Sequence, residues 1–132
     1  MAFYIENVGS GKYLDVKDGN KEKGAEIIQY SFNGNKNQQW KYKNGMIYSE
    51  LNGLVMDLQS ADDNGKLILW PAKDRDNDNQ KWTFDPDFSI RNGLGTVLDV
   101  SHSSKDNGAE IGGYAKHGGD NQKFRVVPVN DD

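Results

Sequence analysis

The residue order of this 132-residue chain repeats itself with a period of 42, and that period limits the fold more than any other feature. Three Gln-x-aromatic triplets stand at Gln38-Gln39-Trp40, Gln80-Lys81-Trp82 and Gln122-Lys123-Phe124, each preceded by asparagine (Asn37, Asn79, Asn121). A second, unrelated marker gives the same spacing: Gly11-Lys-Tyr-Leu-Asp15, Gly53-Leu-Val-Met-Asp57 and Gly95-Thr-Val-Leu-Asp99. Between the markers the copies stay parallel, with Gly24-Ala-Glu-Ile-Ile-Gln-Tyr30 matching Gly108-Ala-Glu-Ile-Gly-Gly-Tyr114. The middle copy reaches its counterpart, Gly65-Lys-Leu-Ile-Leu-Trp70, two residues early, and Asp74-Arg-Asp-Asn-Asp78 restores the period.

Each unit carries about four short apolar runs; in the first copy they are Phe3–Ile5, Tyr13-Leu14 with Val16, Ile27–Tyr30 and Trp40–Tyr42. Asn-Gly, Asp-Gly and Gly-Gly pairs recur between such runs, and no long 3.6-residue periodicity is present, so the runs read as strands joined by tight turns. One unit cannot cover its own apolar face. The three must close around a shared core, which also removes exposed sheet edges. The expectation is an all-β chain, a β-trefoil of twelve short strands with pseudo-threefold symmetry. It is expected to form a single domain over residues 1–132, with repeats at about 3–44, 45–86 and 87–129.

Composition narrows the function. The net charge is −4 with the cations scattered, whereas nucleic acids and anionic membranes need a basic stripe. Partners are therefore expected to include neither nucleic acid nor an inserted membrane, and no apolar stretch approaches membrane-spanning length. The absence of cysteine removes disulfide scaffolds, thiol nucleophiles and Cys-ligated metals. The amino terminus lacks a basic start followed by an apolar run, so the expected location is cytoplasmic or reached by a leaderless route to extracellular glycans. No cofactor and no metal site is expected.

The three Gln-x-Trp/Phe triplets, each with a Leu-Asp-Val-like turn 23 residues upstream, resemble the ricin B-chain-like (R-type) lectins from Phe3 to Val129. The third copy, Tyr114-Ala-Lys-His-Gly-Gly-Asp-Asn-Gln-Lys-Phe124, resembles the invertebrate galactose-binding members most. The resemblance implies a β-trefoil without catalytic activity, whose shallow pockets bind terminal galactose or N-acetylgalactosamine.

The residue types suit that role. A carboxylate accepts charge-assisted bonds from adjacent sugar hydroxyls, an amide exchanges hydrogen bonds in both directions, and an aromatic ring covers the C–H face of a pyranose. Carried over by resemblance, the first site comprises Asp15, Tyr30 and Asn37; the middle Asp57, Trp70 and Asn79; the third Asp99, Tyr114 and Asn121, with His117 beside them. Gln38, Gln80 and Gln122 are expected to bond the aspartate or loop backbone and hold it, while Trp40, Trp82 and Phe124 belong to the core.

Other readings stay open at single positions. The aspartates could cap turn amides, and Tyr30 and Tyr114 could be half-buried strand tyrosines. Trp70 precedes Pro71 and a charged loop, so its ring could be aimed differently, and the middle site could be weakened. Asp74-x-Asp76-x-Asp78 with Asp85 partly imitates a calcium loop, but Asn79 replaces the required glycine; a solvated turn is the default. Asp99, Ser101, His102 and Ser103 lie too close in sequence to converge as a catalytic triad. His117 is either a turn residue or a sugar-rim contact.

Four function classes compete. A glycosidase needs two carboxyls facing each other across one bond, and each repeat supplies one regularly placed aspartate. An inhibitor or protein-interaction scaffold, the alternative, does not need aspartate, aromatic ring and asparagine repeated in register. A polysaccharide-anchoring module shares the site chemistry but is usually joined to a catalytic domain. The expected function is a non-enzymatic, multivalent lectin acting on glycans of glycoproteins or glycolipids, with haemagglutinin-like cross-linking. Oligomeric state and the sugar preferred are left open.

Overall fold

The computed structural model describes residues 1–130, and among these are twelve strands and no α-helix. The first repeat contributes β1 (Phe3–Asn7), β2 (Tyr13–Val16), β3 (Ile27–Tyr30) and β4 (Trp40–Lys43). The second contributes β5 (Met46–Ser49), β6 (Val55–Leu58), β7 (Gly65–Trp70) and β8 (Trp82–Phe84). The third contributes β9 (Ile90–Asn92), β10 (Val97–Val100), β11 (Ile111–Tyr114) and β12 (Phe124–Pro128).

The outer two strands of each repeat form a six-membered ring. β1 pairs with β12 and β4, β4 with β5, and β8 with β9. The two remaining joints are single bonds just outside the strands, Trp82 N–H to the Gly45 carbonyl and Phe124 N–H to the Phe88 carbonyl. The turn between β4 and β5 shows why Asn-Gly was selected: Asn44 and Gly45 both have positive φ, 54° and 78°, and set Lys43 opposite Met46.

The inner two strands of each repeat form hairpins that cap one end of the ring. They interlock in a triangle around the pseudo-threefold axis, through the pairs Glu26↔Ile68, Ile28↔Glu110 and Gly112↔Lys66. This is the β-trefoil the period predicts.

Its core repeats in layers. Leu14, Met56 and Leu98 are buried at equivalent positions, as are Val16, Leu58 and Val100, and Trp40, Trp82 and Phe124. Both tryptophans also find a carbonyl for the indole N–H, Leu14 at 3.4 Å and Met56 at 3.1 Å. Symmetry breaks at the axis, where Gln29, Leu69 and Gly113 occupy one position opposite the Leu14 layer. Gln29 is fully buried and satisfied, donating to the Ser104 and Asp106 carbonyls and accepting from Ser10. Gly113 has no room for a side chain, since a Cβ would stand 2.7 Å from Leu58 Cδ2.

Candidate functional site

Alternation along the inner hairpins decides what each one offers. In β2, Leu14 and Val16 enter the core, so Tyr13 and Asp15 share the opposite face. β6 and β10 repeat this with Asp57 and Asp99. Across each hairpin the ring-bearing residue ends its strand in the same register: Tyr30 opposite Tyr13, Trp70 opposite Val55 and Tyr114 opposite Val97. The early arrival of Trp70 in sequence therefore does not displace it on the strand. The two-residue offset is absorbed in the loops on either side of β7, so this ring starts from the same strand position as the other two.

A short 3₁₀ turn just before β4, β8 and β12 delivers the amides, at Lys36–Gln38, Asp78–Gln80 and Asp120–Gln122. The glutamines are buried, and each joins three parts of its repeat. Gln38 Nε2 donates to Asp15 Oδ2 at 2.8 Å and to the Ser31 carbonyl, while its Oε1 accepts from Asn33 N–H. Gln80 does the same with Asp57, Pro71 and Lys73, and Gln122 with Asp99, Ala115 and His117. One side chain thus fixes the aspartate to the loop that follows the aromatic ring.

Asp15 and Asp99 are buried polar groups, so their ionised form is costly. Burial raises the Asp99 carboxyl above its usual value, against the opposing pull of Gln122, His117 and Asn121, and Asp63 adds to the rise. Asp15 is raised for the same first reason, with Gln38 and Asn37 opposing and Asp18 adding.

The asparagines differ between copies. Asn121 Nδ2 donates to Asp99 Oδ2 at 3.3 Å and to the Val100 carbonyl at 3.2 Å, using both amide hydrogens. With both hydrogens spent inside the protein, Oδ1 is the amide atom left to accept. Asn37 leans on the Val16 carbonyl at 3.4 Å. Asn79 donates to Asp57 Oδ1 at 3.0 Å, and its own Oδ1 is taken by Lys73 Nζ at 3.2 Å.

The third copy has a defined cleft. Asp99, His102, Ser103, Tyr114, His117 and Asn121, with Asn64 of the second repeat, line a cleft of about 250 Å³. Both donors to Asp99 use Oδ2, and nothing among the described residues donates to Oδ1. His117 accepts from Gly119 N–H at Nδ1, which leaves the proton of a neutral ring on Nε2, 3.7 Å from Asp99 Oδ2. Its ring meets Tyr114 edge-on, with centroids 6.2 Å apart. In the middle copy both oxygens of Asp57 already accept a bond, and Lys23 Nζ stands 5.4 Å from the Trp70 ring centroid. By contrast, the crevice on the threefold axis beside Glu26, Lys66 and Glu110 holds only about 20 Å³, too little for a sugar ring.

Two supporting residues escaped the sequence reading. Asn7 of the first repeat is buried and donates to the Asn121 and Lys123 carbonyls of the third, each at 3.2 Å. Asn92 of the third does the same for Asn79 and Lys81 of the second. The equivalent Ser49 uses its hydroxyl on Leu51 N–H, so Asn37 lacks such a prop among the described residues. A buried asparagine at one strand end has no spacing signature that points to a neighbouring repeat.

The calcium-like segment does not converge. Asp85 pairs with Arg91 at 3.0 Å, and no group of three His, Cys, Asp or Glu among the described residues is placed to hold a metal ion.

Comparison with known proteins gives one family. The sequence model described as ricin-type beta-trefoil lectin domain matches residues 1–124. The C-terminal half of an earthworm R-type lectin, solved with GalNAc, has a TM-score of 0.84 at 30% identity, covering 96% of this chain and 97% of that one. 1,3Gal43A, an exo-beta-1,3-galactanase from Clostridium thermocellum, matches with a TM-score of 0.84 at 31% identity, over 96% of this chain but 30% of that one. Among curated proteins, the clotting factor G alpha subunit of Tachypleus tridentatus is 42% identical over 41 residues, 31% of this chain and 6% of that protein's length.

Proposed function

We propose that this chain, which belongs to the ricin-type β-trefoil lectin family, is a multivalent lectin for terminal galactose- and N-acetylgalactosamine-type sugars. Carbohydrate binding is the property of the family; the sugar, the site residues and the number of sites are our reading. The earthworm lectin solved with GalNAc supports the sugar class.

The observation that carries the reading is Asp99 on the floor of the third cleft. Its Oδ2 is fixed by Gln122 and Asn121, and its Oδ1 is left to accept. Adjacent sugar hydroxyls donate to Asp99 Oδ1 and Asn121 Oδ1, Tyr114 covers the C–H face, and His117 closes the rim. A few such bonds at about 1 kcal/mol each, less the cost of association, place a single site near the millimolar scale. Asp15, Tyr30 and Asn37 repeat the arrangement, and Asp57, Trp70 and Asn79 form its weaker version.

The same geometry supports our reading of the role as non-enzymatic. Hydrolysis of a glycosidic bond requires two carboxyls across one bond. In the third cleft Asp99 is the only lining carboxylate, and the groups around it are amides, hydroxyls and rings. Sites facing outward from three repeats bridge neighbouring glycans, and such multivalency raises apparent affinity by about 10²–10⁴.

Titration calorimetry with N-acetylgalactosamine tests this reading. The expected outcome is millimolar binding by the native chain, weakened at least tenfold for the third site in Asp99→Ala. Unchanged binding by a folded Asp99→Ala would overturn the assignment of that site, and absence of any glycan binding by the native chain would favour the interaction-scaffold alternative.

A further inference from the structure

The first repeat carries an aromatic strip that the other two lack. Tyr30 lies directly opposite Tyr13 across the hairpin, on the face that also bears Asp15. Phe32 stands against Tyr13 and Tyr4, with centroids 5.2 Å and 5.0 Å away, and Tyr4 meets Tyr13 at 6.1 Å. The loop is held in this position from both sides of Phe32, because Gln38 binds the Ser31 carbonyl and the Asn33 amide. Phe32 is nonetheless 56% exposed and Tyr30 44%. A cluster serving only the core would hide those rings.

The corresponding positions elsewhere are different in kind. Val55 and Val97 replace Tyr13. Two residues beyond the site ring, Ala72 and Lys116 replace Phe32, and Lys116 is engaged with Asp87. The strip thus adjoins one candidate site through the Tyr13–Tyr30 strand pair and is absent from the other two.

We infer that the first site recognises an extended glycan, with Tyr30 taking the terminal sugar and the Phe32–Tyr13 strip taking the next sugar ring. The inference rests on the reading of Asp15, Tyr30 and Asn37 as a sugar site. The occupant follows from the chemistry. A pyranose offers C–H faces to flat rings while its hydroxyls stay in water, which suits the half-exposed rings of Tyr30 and Phe32, with Tyr13 beside them bonded to Glu6. A fixed aromatic platform beside a fixed carboxylate also lets one glycan engage both without reordering the loop.

The test is an amide-resolved NMR titration of the native chain and Phe32→Ala. The probes are galactose and a panel of galactose-terminated disaccharides covering each linkage position. Shifts at Tyr30, Asn33 and Gln38 report the first copy, and those at Tyr114, His117 and Gln122 report the third. At least one disaccharide is expected to bind the first copy about three- to tenfold more tightly than galactose, with no such gain at the third. Phe32→Ala should abolish the gain while leaving galactose binding and third-copy shifts as they are, and Phe32→Tyr should restore it. Equal gains at both copies, or a gain that survives Phe32→Ala, would overturn the inference and leave the sugar site intact. Failure of galactose itself to shift the first-copy amides would overturn both.

Discussion

Gln122 donates its amide to Asp99 Oδ2 at 2.9 Å while accepting from the His117 backbone, so one buried side chain sets both the carboxylate and the rim of the cleft. Gln38 and Asp15, at 2.8 Å, and Gln80 and Asp57, at 3.0 Å, repeat the relationship. Replacing Gln122 with alanine strands a carboxylate, a carbonyl and an amide together. The expected cost is about 2–4 kcal/mol of unfolding free energy in a denaturant titration, with loss of third-site binding.

The aspartate that gives function should be a burden on the fold. Burial raises the Asp99 carboxyl, so the folded state holds its proton more tightly than the unfolded chain does. This group therefore favours folding most below the unfolded value of 3.8, and that contribution is lost as pH rises through its higher folded value. At neutral pH the Asp99→Asn protein should melt no lower than the native one. Its Oδ1 can replace the Asp99 Oδ2 that receives both amide bonds. Galactoside binding at the third site should nonetheless fall about ten- to a hundredfold, the worth of a charge-assisted bond. Differential scanning calorimetry with NMR titration checks both halves.

Acid should release sugar from the first and third sites before ordinary carboxylates titrate. Binding needs the ionised form, and both Asp15 and Asp99 protonate above 3.8. Amide-resolved affinities measured down a pH series should fall at those copies with midpoints above that value.

Asn7 should act across a repeat boundary. Its alanine variant loses two carbonyl bonds under Asn121 and Lys123, and the bond from Ser10 N–H to its Oδ1. The expected outcome is about 1–3 kcal/mol lower stability, with third-site affinity weakened and the first site untouched.

The middle site should fill last. Asp57 has both oxygens engaged, Asn79 is held by Lys73, and Lys23 stands over Trp70. In a galactose titration its amides should saturate at concentrations at least about threefold above those of the third copy. Lys23→Ala should narrow that gap by freeing the ring.

How much of this was legible in the residue order depends on distance along the chain. The period of 42 was enough for the trefoil, because twelve short runs in three equal units leave few ways to bury their faces. It also put the aspartate, ring and amide of each copy at matching places on the repeat, and in the third copy Asp99, Tyr114 and Asn121 line one cleft. What it missed depends on contacts between repeats or on hydrogen-bond direction. Asn7 and Asn92 act on the neighbouring copy, and the turn of the Asn121 amide toward Val100 is set by a carbonyl that every sequence has. The strand position of Trp70 was hidden for a related reason: loops absorbed the two-residue offset, and strand pairing kept the register.

The central claim, that this is a lectin working through Asp15, Asp57 and Asp99, meets its most direct test on a glycan array. The native chain is compared with the triple variant Asp15→Ala, Asp57→Ala and Asp99→Ala, each first shown to be folded by its near-ultraviolet circular dichroism and cooperative melt. The account predicts that the native chain binds densely printed galactose- and N-acetylgalactosamine-terminated glycans and that the folded triple variant binds none of them. A folded triple variant that binds those glycans as the native chain does would contradict it.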